Sequence, residues 1–196
     1  MERVIFLDRD GTINREVSYL YRNEDLELLA GVPEAIRRFK EAGFRIAVVT
    51  NQAGVARGYY QEQDVKRLHR YLNEQLQKHC GAQIDAFYYC PHHPEAGLAG
   101  YRKDCHCRKP DIGMFEQAGQ RFAVDKKHSW MIGDKLIDVL AGRNYGIRTV
   151  LVGTGYGAAE HLKQQQKGEQ PYDFFAETLM DAAGIIIEKE HCDSET

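Results

Sequence analysis

The stretch FLDRDGT, residues 6–12, decides the fold class of this chain because it runs an apolar segment directly into two carboxylates. The residues VIFL at 4–7 form the short apolar run expected of a strand that is buried on both faces. Asp8 and Asp10 follow where such a strand ends, and Gly11 can adopt the backbone angles of a sharp turn. The stretch therefore predicts a buried strand that carries two carboxylates to one edge of a sheet.

Similar short runs recur along the chain and alternate with patterns of helical period. The other predicted strands are 45–50, 86–89, 129–132, 149–152 and 172–175. Apolar residues at helical spacing fall within 32–39, 65–76, 114–122, 136–145 and 179–187, whereas the polar residues 160–171 predict a flexible connection or a weak helix. Alternating strands and helices predict an α/β fold, Rossmann-like and doubly wound, with a mostly parallel sheet.

Polar residues follow three of the predicted strands. Asp8 and Asp10 follow the first strand, Thr50 and Asn51 close the second, and Asp134 follows the apolar pair MI at 131–132. Ligands of parallel α/β sheets bind beyond the carboxyl ends of the strands. We therefore expect these side chains to meet at one edge of the sheet.

This set of side chains suits the transfer of a phosphoryl group. A carboxylate is a weak nucleophile toward phosphorus unless neighbouring groups neutralise the charge of the phosphate. Thr50 and Asn51 offer donors to phosphoryl oxygens, and Lys109 offers a positive charge. Asp134, with Asp138 one helical turn further on as an inner or outer ligand, offers hard oxygen atoms to Mg²⁺. Each residue alone has an ordinary explanation as a cap, a turn residue or an exposed lysine, and the combination indicates the chemistry.

The composition is that of an ordinary globular protein. The 196 residues carry a formal net charge of -3, and 43% of them are hydrophobic, which suits a single domain over residues 1–188. The polar residues 189–196 are expected to form a disordered tail. The slight acidity argues against nucleic acid or an anionic membrane as a partner. The chain lacks the about 18 consecutive apolar residues of a membrane span and the pattern of a signal peptide, so we expect a cytoplasmic protein.

Residues 90–107 interrupt the alternation of strands and helices with a run rich in Cys, His, Pro and Gly. Four side chains with soft ligand atoms stand in pairs at its ends: Cys90, His92, Cys105 and Cys107. Residues i and i+2 of an extended chain point the same way, so each pair can present two ligands to one tetrahedral zinc ion. Such a zinc would be structural, because the protein fills all four positions. His93 and His106 are alternative ligands, and free cysteines or a regulatory disulfide are the alternatives to zinc.

The motifs resemble, in content and in order, those of the haloacid dehalogenase superfamily of phosphotransferases. That superfamily carries a DxDGT segment, a Thr or Ser that ends the second strand, a Lys and a GDxxxD segment, and this chain has DRDGT, VVTN, RKP and GDKLID. The resemblance covers nearly the whole chain and implies a haloacid dehalogenase-like fold. The short segments 12–31 and 51–109 leave no room for the large cap domain of many members, so we expect an open site.

The resemblance also implies a role for each motif residue. Asp8 would attack phosphorus to form an aspartyl phosphate, and Asp10 would protonate the leaving alcohol and then take a proton from water. Thr50 and Lys109 would stabilise the phosphoryl group in transfer. Mg²⁺ would be held by Asp8, by the backbone carbonyl of Asp10 and by Asp134.

Within the superfamily, the segments VVTNQAGVARGYY, YYCPHHPEAG and CHCRKPDIGM resemble the family of heptose 1,7-bisphosphate 7-phosphatases. This resemblance implies a small phosphorylated sugar as substrate, a monomer, and a product that enters a cell-envelope glycan such as lipopolysaccharide. The positions that would bind substrate are Glu16, Val17, Ser18, Tyr19, Asn51, Gln52, Ala53, Arg108 and Lys135.

A histidinol-phosphate phosphatase is the nearest alternative, since it shares the four motifs and a similar zinc loop. Histidinol phosphate would need carboxylates near its ammonium group, whereas a second phosphate would need arginines. Arg57 and Arg108 favour the bisphosphate, and Glu16, Glu24 and Asp25 favour histidinol phosphate.

Two functions of other kinds are also compatible with parts of the sequence. An inactive, zinc-stabilised binding module would be indicated by the loss of a motif residue, and every motif residue is present. A phosphatase acting on nucleic-acid ends would need a basic stripe with aromatic residues beside the catalytic edge.

Overall fold

The computed structural model describes residues 1–194, and six strands within that range form one sheet. The strands are β1 (Val4–Leu7), β2 (Arg45–Asn51), β3 (Ala86–Cys90), β4 (Trp130–Gly133), β5 (Arg148–Val152) and β6 (Phe174–Ala176). Their order is β3-β2-β1-β4-β5-β6, and every pairing is parallel. The predicted doubly wound α/β fold is confirmed, with strand ends displaced by one or two residues.

Helices connect the strands, because parallel neighbours cannot be joined by a tight turn. The helices are α1 (Val32–Glu41), α2 (Glu62–Cys80), α3 (Gly113–Arg121), α4 (Leu136–Tyr145), α5 (Gly157–Lys167) and α6 (Leu179–Ser194). The apolar positions of the sequence pattern form the buried face of α1: Val32, Ala35, Ile36 and Phe39. None of the helices within residues 1–194 combines the length and the apolar character needed to cross a membrane.

Different helices cover the two faces of the sheet. Because successive residues of a strand point to opposite faces, Ile5 and Leu7 share a cluster with residues of α1 and α6. Val4 and Phe6 share the opposite cluster with residues of α3 and α4. All four side chains are excluded from solvent. The strand that leads to Asp8 is therefore fixed from both sides.

The direction of the chain through the sheet changes after β3. From β1 the chain passes to β2 and β3 on one side, and it then returns to β4 on the other side of β1. Such a switch point leaves a crevice beyond the carboxyl ends of the central strands. The ends of β1, β2 and β4 bring Asp8, Thr50 and Asp134 to this crevice.

No inserted domain covers the crevice within residues 1–194. Residues 12–31 hold only a three-residue 3-10 helix, Asn23–Asp25, and residues 51–109 hold α2, β3 and the Cys- and His-rich segment. The predicted absence of a large cap domain is therefore confirmed, and the entrance is bordered by loops.

The carboxyl-terminal part contains more helix than the sequence predicts. Of the two alternatives for residues 160–171, the helix is confirmed: α5 already starts at Gly157 and ends at Lys167, and Gly168, whose φ is 70°, caps it. Contrary to the expected disordered tail, residues 189–194 continue α6, and residues 195 and 196 lie outside the described range. The reason is Glu190, which is buried, accepts a hydrogen bond from Trp130 Nε1 at 3.0 Å and pairs with Arg148.

Candidate active site

A cavity of about 310 Å³ opens at the carboxyl ends of the central strands. All four predicted catalytic residues line it: Asp8, Asp10, Thr50 and Lys109. Most of the predicted substrate-binding residues line it as well: Glu16, Ser18, Tyr19, Asn51, Gln52, Ala53 and Lys135. Residues from separate parts of the sequence therefore meet in one place, as the strand-end argument predicts.

Val17, Arg57 and Arg108 do not belong to the lining of this cavity. Val17 is 40% exposed. Arg57 Nη2 lies 3.4 Å from His93 Nε2, and Arg108 Nη1 donates to the carbonyl of His92 at 3.2 Å. Burial and the charges of both guanidinium groups lower the pKa of His93. The two arginines therefore form a basic pair at His92 and His93, outside the cavity lining.

Lys109 is a buried cation held by three acceptors. Its Nζ donates to Asp8 Oδ1 at 2.8 Å, to Asp138 Oδ1 at 2.6 Å and to the carbonyl of Val49 at 2.7 Å. Burial lowers the pKa of Lys109, but the charges of Asp138 and Asp8 outweigh burial and raise it, so the side chain stays protonated. A fixed positive charge thus lies beside Asp8, where the charge of a phosphate would accumulate.

Asn51 fixes the backbone that carries this lysine. Asn51 Nδ2 donates to the carbonyl of Lys109 at 3.2 Å, and Asn51 Oδ1 accepts from the backbone N–H of Lys109 at 3.1 Å. This reciprocal pair ties the end of β2 to the segment after the Cys- and His-rich loop. Asn51, predicted to bind substrate, therefore also positions Lys109.

Asp10 is surrounded by hydrogen-bond donors. Asn14 Nδ2 donates to Asp10 Oδ1 at 3.0 Å, and Gln52 Nε2 donates to Asp10 Oδ2 at 3.0 Å. The guanidinium of Arg9 donates to both oxygens, at 3.0 Å and 2.8 Å from Nη2. Burial raises the pKa of Asp10, but the Arg9 charge and these hydrogen bonds outweigh burial and lower it. The two carboxylates of DRDGT therefore occupy different environments.

Gln52 also orients Thr50. Gln52 Oε1 accepts from the hydroxyl of Tyr60 at 2.7 Å, and Gln52 Nε2 donates to Thr50 Oγ1 at 2.9 Å. Because the amide oxygen faces Tyr60 and the amide nitrogen faces Thr50, the amide has one orientation. Thr50 Oγ1 accepts here, so its proton can be donated into the cavity.

Asp134 offers a buried oxygen that suits a cation. Its Oδ2 accepts from the backbone N–H of Tyr156 at 2.9 Å, whereas its Oδ1 has no hydrogen-bond partner among the described residues. Asp8, Asp134 and Asp138 present oxygens within 4.8 Å of one another. Burial and the charges of Asp8 and Asp138 raise the pKa of Asp134 to about 8. A divalent cation would offset this repulsion, and Mg²⁺ prefers carboxylate oxygens, so the residues fit the predicted metal.

Two glycines make room for the Asp134 carboxylate. Gly11 and Gly155 have φ angles of 84° and 56°, in the left-handed region. A Cβ atom would lie 2.3 Å from Asp134 Oδ2 at Gly11 and 2.2 Å from the same atom at Gly155. Neither position can carry a side chain without displacing the carboxylate.

The four predicted soft ligands form a second cluster: Cys90, His92, Cys105 and Cys107, whose ligand atoms lie within 4.8 Å of one another. Cys107 Sγ lies 2.8 Å from Cys90 Sγ and 3.6 Å from His92 Nδ1. The hydrogen bond with Cys107 lowers the pKa of Cys90 to about 6, against the effect of burial, and the thiolate is the form that binds a metal. This set could hold a tetrahedral zinc ion.

The two alternative histidines do not join this cluster. His93 Nδ1 accepts from the backbone N–H groups of Glu95 at 3.2 Å and Ala96 at 3.0 Å. His106 Nε2 lies 2.8 Å from Glu116 Oε2. His92 is therefore the histidine that the fold brings to the three cysteines.

Comparison with known proteins agrees with this geometry. Residues 106–182 match the family described as HAD-hydrolase-like. D-glycero-beta-D-manno-heptose-1,7-bisphosphate 7-phosphatase of Haemophilus ducreyi is 39% identical over 186 residues, which are 94% of this chain and 98% of that protein. D-glycero-D-manno-heptose-1,7-bisphosphate 7-phosphatase of Thermosynechococcus vestitus is 42% identical over 185 residues, 93% of this chain and 94% of that protein. The chain belongs to the heptose-bisphosphate phosphatase family.

A solved structure of this phosphatase family shares the whole fold. The crystal structure of D,D-heptose 1,7-bisphosphate phosphatase from B. bronchiseptica, complexed with magnesium and phosphate, matches with a TM-score of 0.82 at 29% identity. The match covers 95% of this chain and 99% of that one. The chain is accordingly a phosphatase with a haloacid dehalogenase-like fold.

The lining of this phosphatase's cavity includes a cation that lies against an aromatic ring. Lys135 Nζ lies 3.2 Å from Glu16 Oε2 and 4.7 Å from the ring centroid of Tyr156. The rings of Tyr19 and Tyr59 meet edge to face at 4.7 Å, and both are largely exposed. Ser18 and Tyr19 have φ angles of 47° and 64°, which are strained for residues other than glycine. The mouth thus presents charge and ring surface to the part of a substrate beyond its phosphate.

Four residues at or behind the phosphatase cavity are not among the residues predicted from the sequence: Arg9, Tyr60, Ile137 and Tyr156. Arg9 could have been found, because a charged residue directly after a fully buried strand needs a buried partner. Tyr156 lies past the end of β5, so the strand-end argument used for Asp134 could also have been applied there. Tyr60 and Ile137 carry no such signal.

Proposed function

We propose that this phosphatase removes the C7 phosphate of D-glycero-D-manno-heptose 1,7-bisphosphate through an aspartyl-phosphate intermediate. The observation that carries the mechanism is that the two carboxylates of DRDGT pair with different cations, Asp8 with Lys109 and Asp10 with Arg9. A hydrolase with a covalent intermediate needs one carboxylate as nucleophile and another group to move protons. The names of the relatives support the identity of the sugar.

In the first half of the reaction, Asp8 attacks phosphorus in line with the bond to the C7 oxygen. That bond breaks as Asp10 gives a proton to the leaving oxygen, which departs as an alcohol. The Thr50 hydroxyl and the Lys109 ammonium would stabilise the phosphoryl oxygens, and both groups are held in place by other side chains.

In the second half, water attacks phosphorus of the aspartyl phosphate, and Asp10 accepts a proton from that water. The bond between phosphorus and Asp8 breaks, which releases inorganic phosphate and regenerates the Asp8 carboxylate. The proton taken from water replaces the one that Asp10 gave to the leaving alcohol. The buried donors Asn14 and Gln52 support this repeated role, since each hydrogen-bonds to Asp10.

We propose Mg²⁺ as the catalytic cofactor, held by Asp8, Asp134 and the backbone carbonyl of Asp10, with Asp138 as an outer partner. When bound, the ion would neutralise charge between the anionic nucleophile and the anionic phosphate. Asp134 Oδ1, buried and without a hydrogen bond among the described residues, supports this assignment. Asp138 Oδ1 accepts from the Lys109 ammonium and Asp138 Oδ2 accepts from the backbone N–H of Lys135, which supports its outer position.

The structure favours the bisphosphate over histidinol phosphate. The carboxylates that would receive an ammonium group already face cations: Glu16 lies 3.2 Å from Lys135, and Asp25 lies 3.3 Å from Arg22. The basic pair of Arg57 and Arg108 lies outside the cavity lining, and its two guanidinium groups support a substrate whose second phosphate extends beyond the cavity.

The test is to measure phosphate release in Mg²⁺ from heptose 1,7-bisphosphate and from histidinol phosphate. We expect kcat/KM to be at least a hundredfold higher for the bisphosphate, about 2.7 kcal/mol of transition-state stabilisation. The opposite preference would leave the catalytic residues in place and replace the proposed substrate. If neither ester is hydrolysed, the proposed reaction is wrong.

We further propose that Cys90, His92, Cys105 and Cys107 bind a structural zinc ion. Its effect would be to fix the segment that carries Arg108 and Lys109, which directly follow the last ligand. A monomer and a product destined for a cell-envelope glycan also belong to this proposal, and the cytoplasmic location stays a prediction from the sequence.

A further inference from the structure

Arg9 is a cation that the fold buries completely. It lies between Asp8 and Asp10 in the DRDGT segment, and its exposed fraction is 0%. An unpaired charge in such a place would strongly destabilise the folded state, so its partners indicate why it is there. Three of its nitrogen–oxygen contacts are made with a single side chain, that of Asp10.

The contact between Arg9 and Asp10 fixes an orientation. Arg9 Nε lies 3.1 Å from Asp10 Oδ1, and Nη2 lies 3.0 Å from Oδ1 and 2.8 Å from Oδ2. A planar guanidinium that touches both oxygens restrains the plane of the carboxylate as well as its position. A lysine could supply the charge but not this restraint.

The guanidinium of Arg9 is itself held by contacts with other buried residues. Arg9 Nη1 lies 3.3 Å from His69 Nε2, and the His69 ring stacks on Phe87 with centroids 4.5 Å apart. Burial and the Arg9 charge lower the pKa of His69, so the ring is neutral. Because arginine can only donate, His69 Nε2 is the acceptor and the ring proton is on Nδ1. Nη2 also donates to Gln52 Oε1 at 3.3 Å and to the carbonyl of Leu20 at 3.4 Å.

We propose that Arg9 is a positioning residue that aims the Asp10 carboxylate at the leaving-group oxygen, with His69 as the support that holds Arg9. This inference rests on the proton-transfer role of Asp10 given under the proposed function. Arg9 does not line the cavity, so its effect on the reaction is indirect. Three of its contacts are made with Asp10, and one reaches Gln52, whose amide nitrogen donates to Asp10 and Thr50.

The proposal predicts an effect that depends on the leaving group. Esters whose alcohol leaves only when protonated need a correctly aimed Asp10, whereas p-nitrophenolate leaves without a proton. We expect Arg9→Met to lower kcat/KM for phenyl phosphate and heptose 1,7-bisphosphate by about a hundredfold or more, within the usual 10²- to 10⁴-fold of general acid catalysis. The loss with p-nitrophenyl phosphate should stay below about tenfold.

Two further variants separate this role from a merely structural one. Arg9→Lys retains the positive charge but cannot contact both carboxylate oxygens as the planar guanidinium does. We expect its loss of kcat/KM to lie between those of the wild type and Arg9→Met, with the same dependence on the leaving group. Arg148→Met removes a guanidinium that pairs with Glu190 at the amino ends of β4 and β5, away from the cavity. We expect it to lower the melting temperature without changing the ratio of kcat/KM between the three esters.

A double variant tests whether Arg9 acts through Asp10. On p-nitrophenyl phosphate, Arg9→Met combined with Asp10→Asn should lose no more activity than Asp10→Asn alone, because the two residues act as one unit. Equal losses on all three esters, or a clear further loss in the double variant, would overturn the proposal. If Arg9→Met does not fold, kcat/KM of Arg9→Lys on the same three esters replaces it, and equal losses on all three would again overturn the proposal.

The aryl esters keep this test independent of the sugar. If the wild type hydrolyses both aryl phosphates but not heptose 1,7-bisphosphate, the proposed substrate fails while the Arg9 comparison still runs. If Asp10→Asn shows no dependence on the leaving group, the proton-transfer role fails and the Arg9 proposal fails with it.

Discussion

Asp8 and Asp10 are two positions apart in the sequence, yet each pairs with a different, fully buried cation. Asp8 pairs with Lys109, and Asp10 pairs with Arg9. Lys109 reaches Asp8 from a segment a hundred residues away, whereas Arg9 reaches Asp10 from the adjacent position. The contact of Lys109 with Asp8 is buried, and in the contact of Arg9 with Asp10 only the carboxylate is partly exposed, at 17%. Both contacts are therefore less screened than ion pairs at the surface. The different environments of the two carboxylates are therefore built into the folded state.

At the residue scale, we predict that Asp8→Asn abolishes turnover. An amide is not a nucleophile toward phosphorus, while Lys109 keeps Asp138 and the Val49 carbonyl as acceptors, so the fold should survive. Activity is measured as phosphate release, and folding by thermal melting. Asp104→Asn, at an exposed position, is the matched control. Residual kcat above about a hundredth of wild type, a loss of less than about 2.7 kcal/mol, would exclude Asp8 as the nucleophile.

A second residue-scale prediction concerns the glycines around Asp134. Gly155→Ala places a methyl group 2.2 Å from Asp134 Oδ2, so the carboxylate must move, and we expect the Mg²⁺ concentration for half-maximal activity to rise at least tenfold. Gly168→Ala is the control, since Gly168 also has a left-handed φ but open space around it. Gly168→Ala should cost about 1–2 kcal/mol of stability and leave the Mg²⁺ dependence unchanged. Equal Mg²⁺ dependence in the two variants would argue against Asp134 as a ligand.

The sequence located most of the catalytic side chains because each one follows an apolar run. Asp8, Thr50 and Asp134 could be assigned to one edge from the parallel-sheet rule alone, and Lys109 from its motif. The role of Asn51 in holding the Lys109 backbone could not be predicted, since the two residues are 58 positions apart and nothing local indicates the contact.

At the scale of elements, the Cys- and His-rich loop is the feature most open to test. We predict that Cys105→Ser lowers both the zinc content and the melting temperature, because the loop has few apolar residues to hold it without a metal. Metal per chain is measured by atomic spectroscopy. Cys192→Ser, at an exposed position of α6, should change neither quantity. Unchanged zinc in Cys105→Ser would mean that the ligand set is wrong.

The helix α6 gives a prediction about stability alone. Glu190→Gln removes the charge that faces Arg148 and weakens the acceptor of the Trp130 indole, so we expect unfolding free energy to fall by about 1–3 kcal/mol with kcat/KM unchanged. Glu188→Gln, exposed two positions earlier, is the control. Equal stability of the two variants would mean that Glu190 does not anchor the helix.

The end of helix α6 could not be predicted from the sequence. The apolar pattern ends at Ile187, and the polar residues after it resemble a tail. The residue that extends the helix is a glutamate whose partners, Trp130 and Arg148, lie 60 and 42 positions earlier. Single-sequence patterns detect apolar faces and miss buried polar anchors of this kind.

At the scale of the whole molecule, the sheet and the absence of a large inserted cap within residues 1–194 leave the cavity bordered by loops. We therefore expect substrate selection to depend on side chains at the mouth, such as Lys135 and Tyr156, rather than on closure of a second domain. The α/β class and the parallel sheet were predictable, because the alternation of short apolar runs and helical patterns admits few other arrangements. The identity of the sugar was indicated only by the resemblance of the motif segments, since the loops at the mouth carry no periodic signal.

The anchoring of α6 has a consequence for biosynthesis. Trp130 lies in a central strand next to β1, and its indole nitrogen is satisfied by Glu190, one of the last residues described. A ribosome releases the chain from the amino terminus onward, so the catalytic segments emerge well before this partner exists. The nascent chain therefore carries all its catalytic groups while the face of the sheet that α1 and α6 share still lacks α6. Chaperone binding should be strongest in the interval before α6 leaves the exit tunnel.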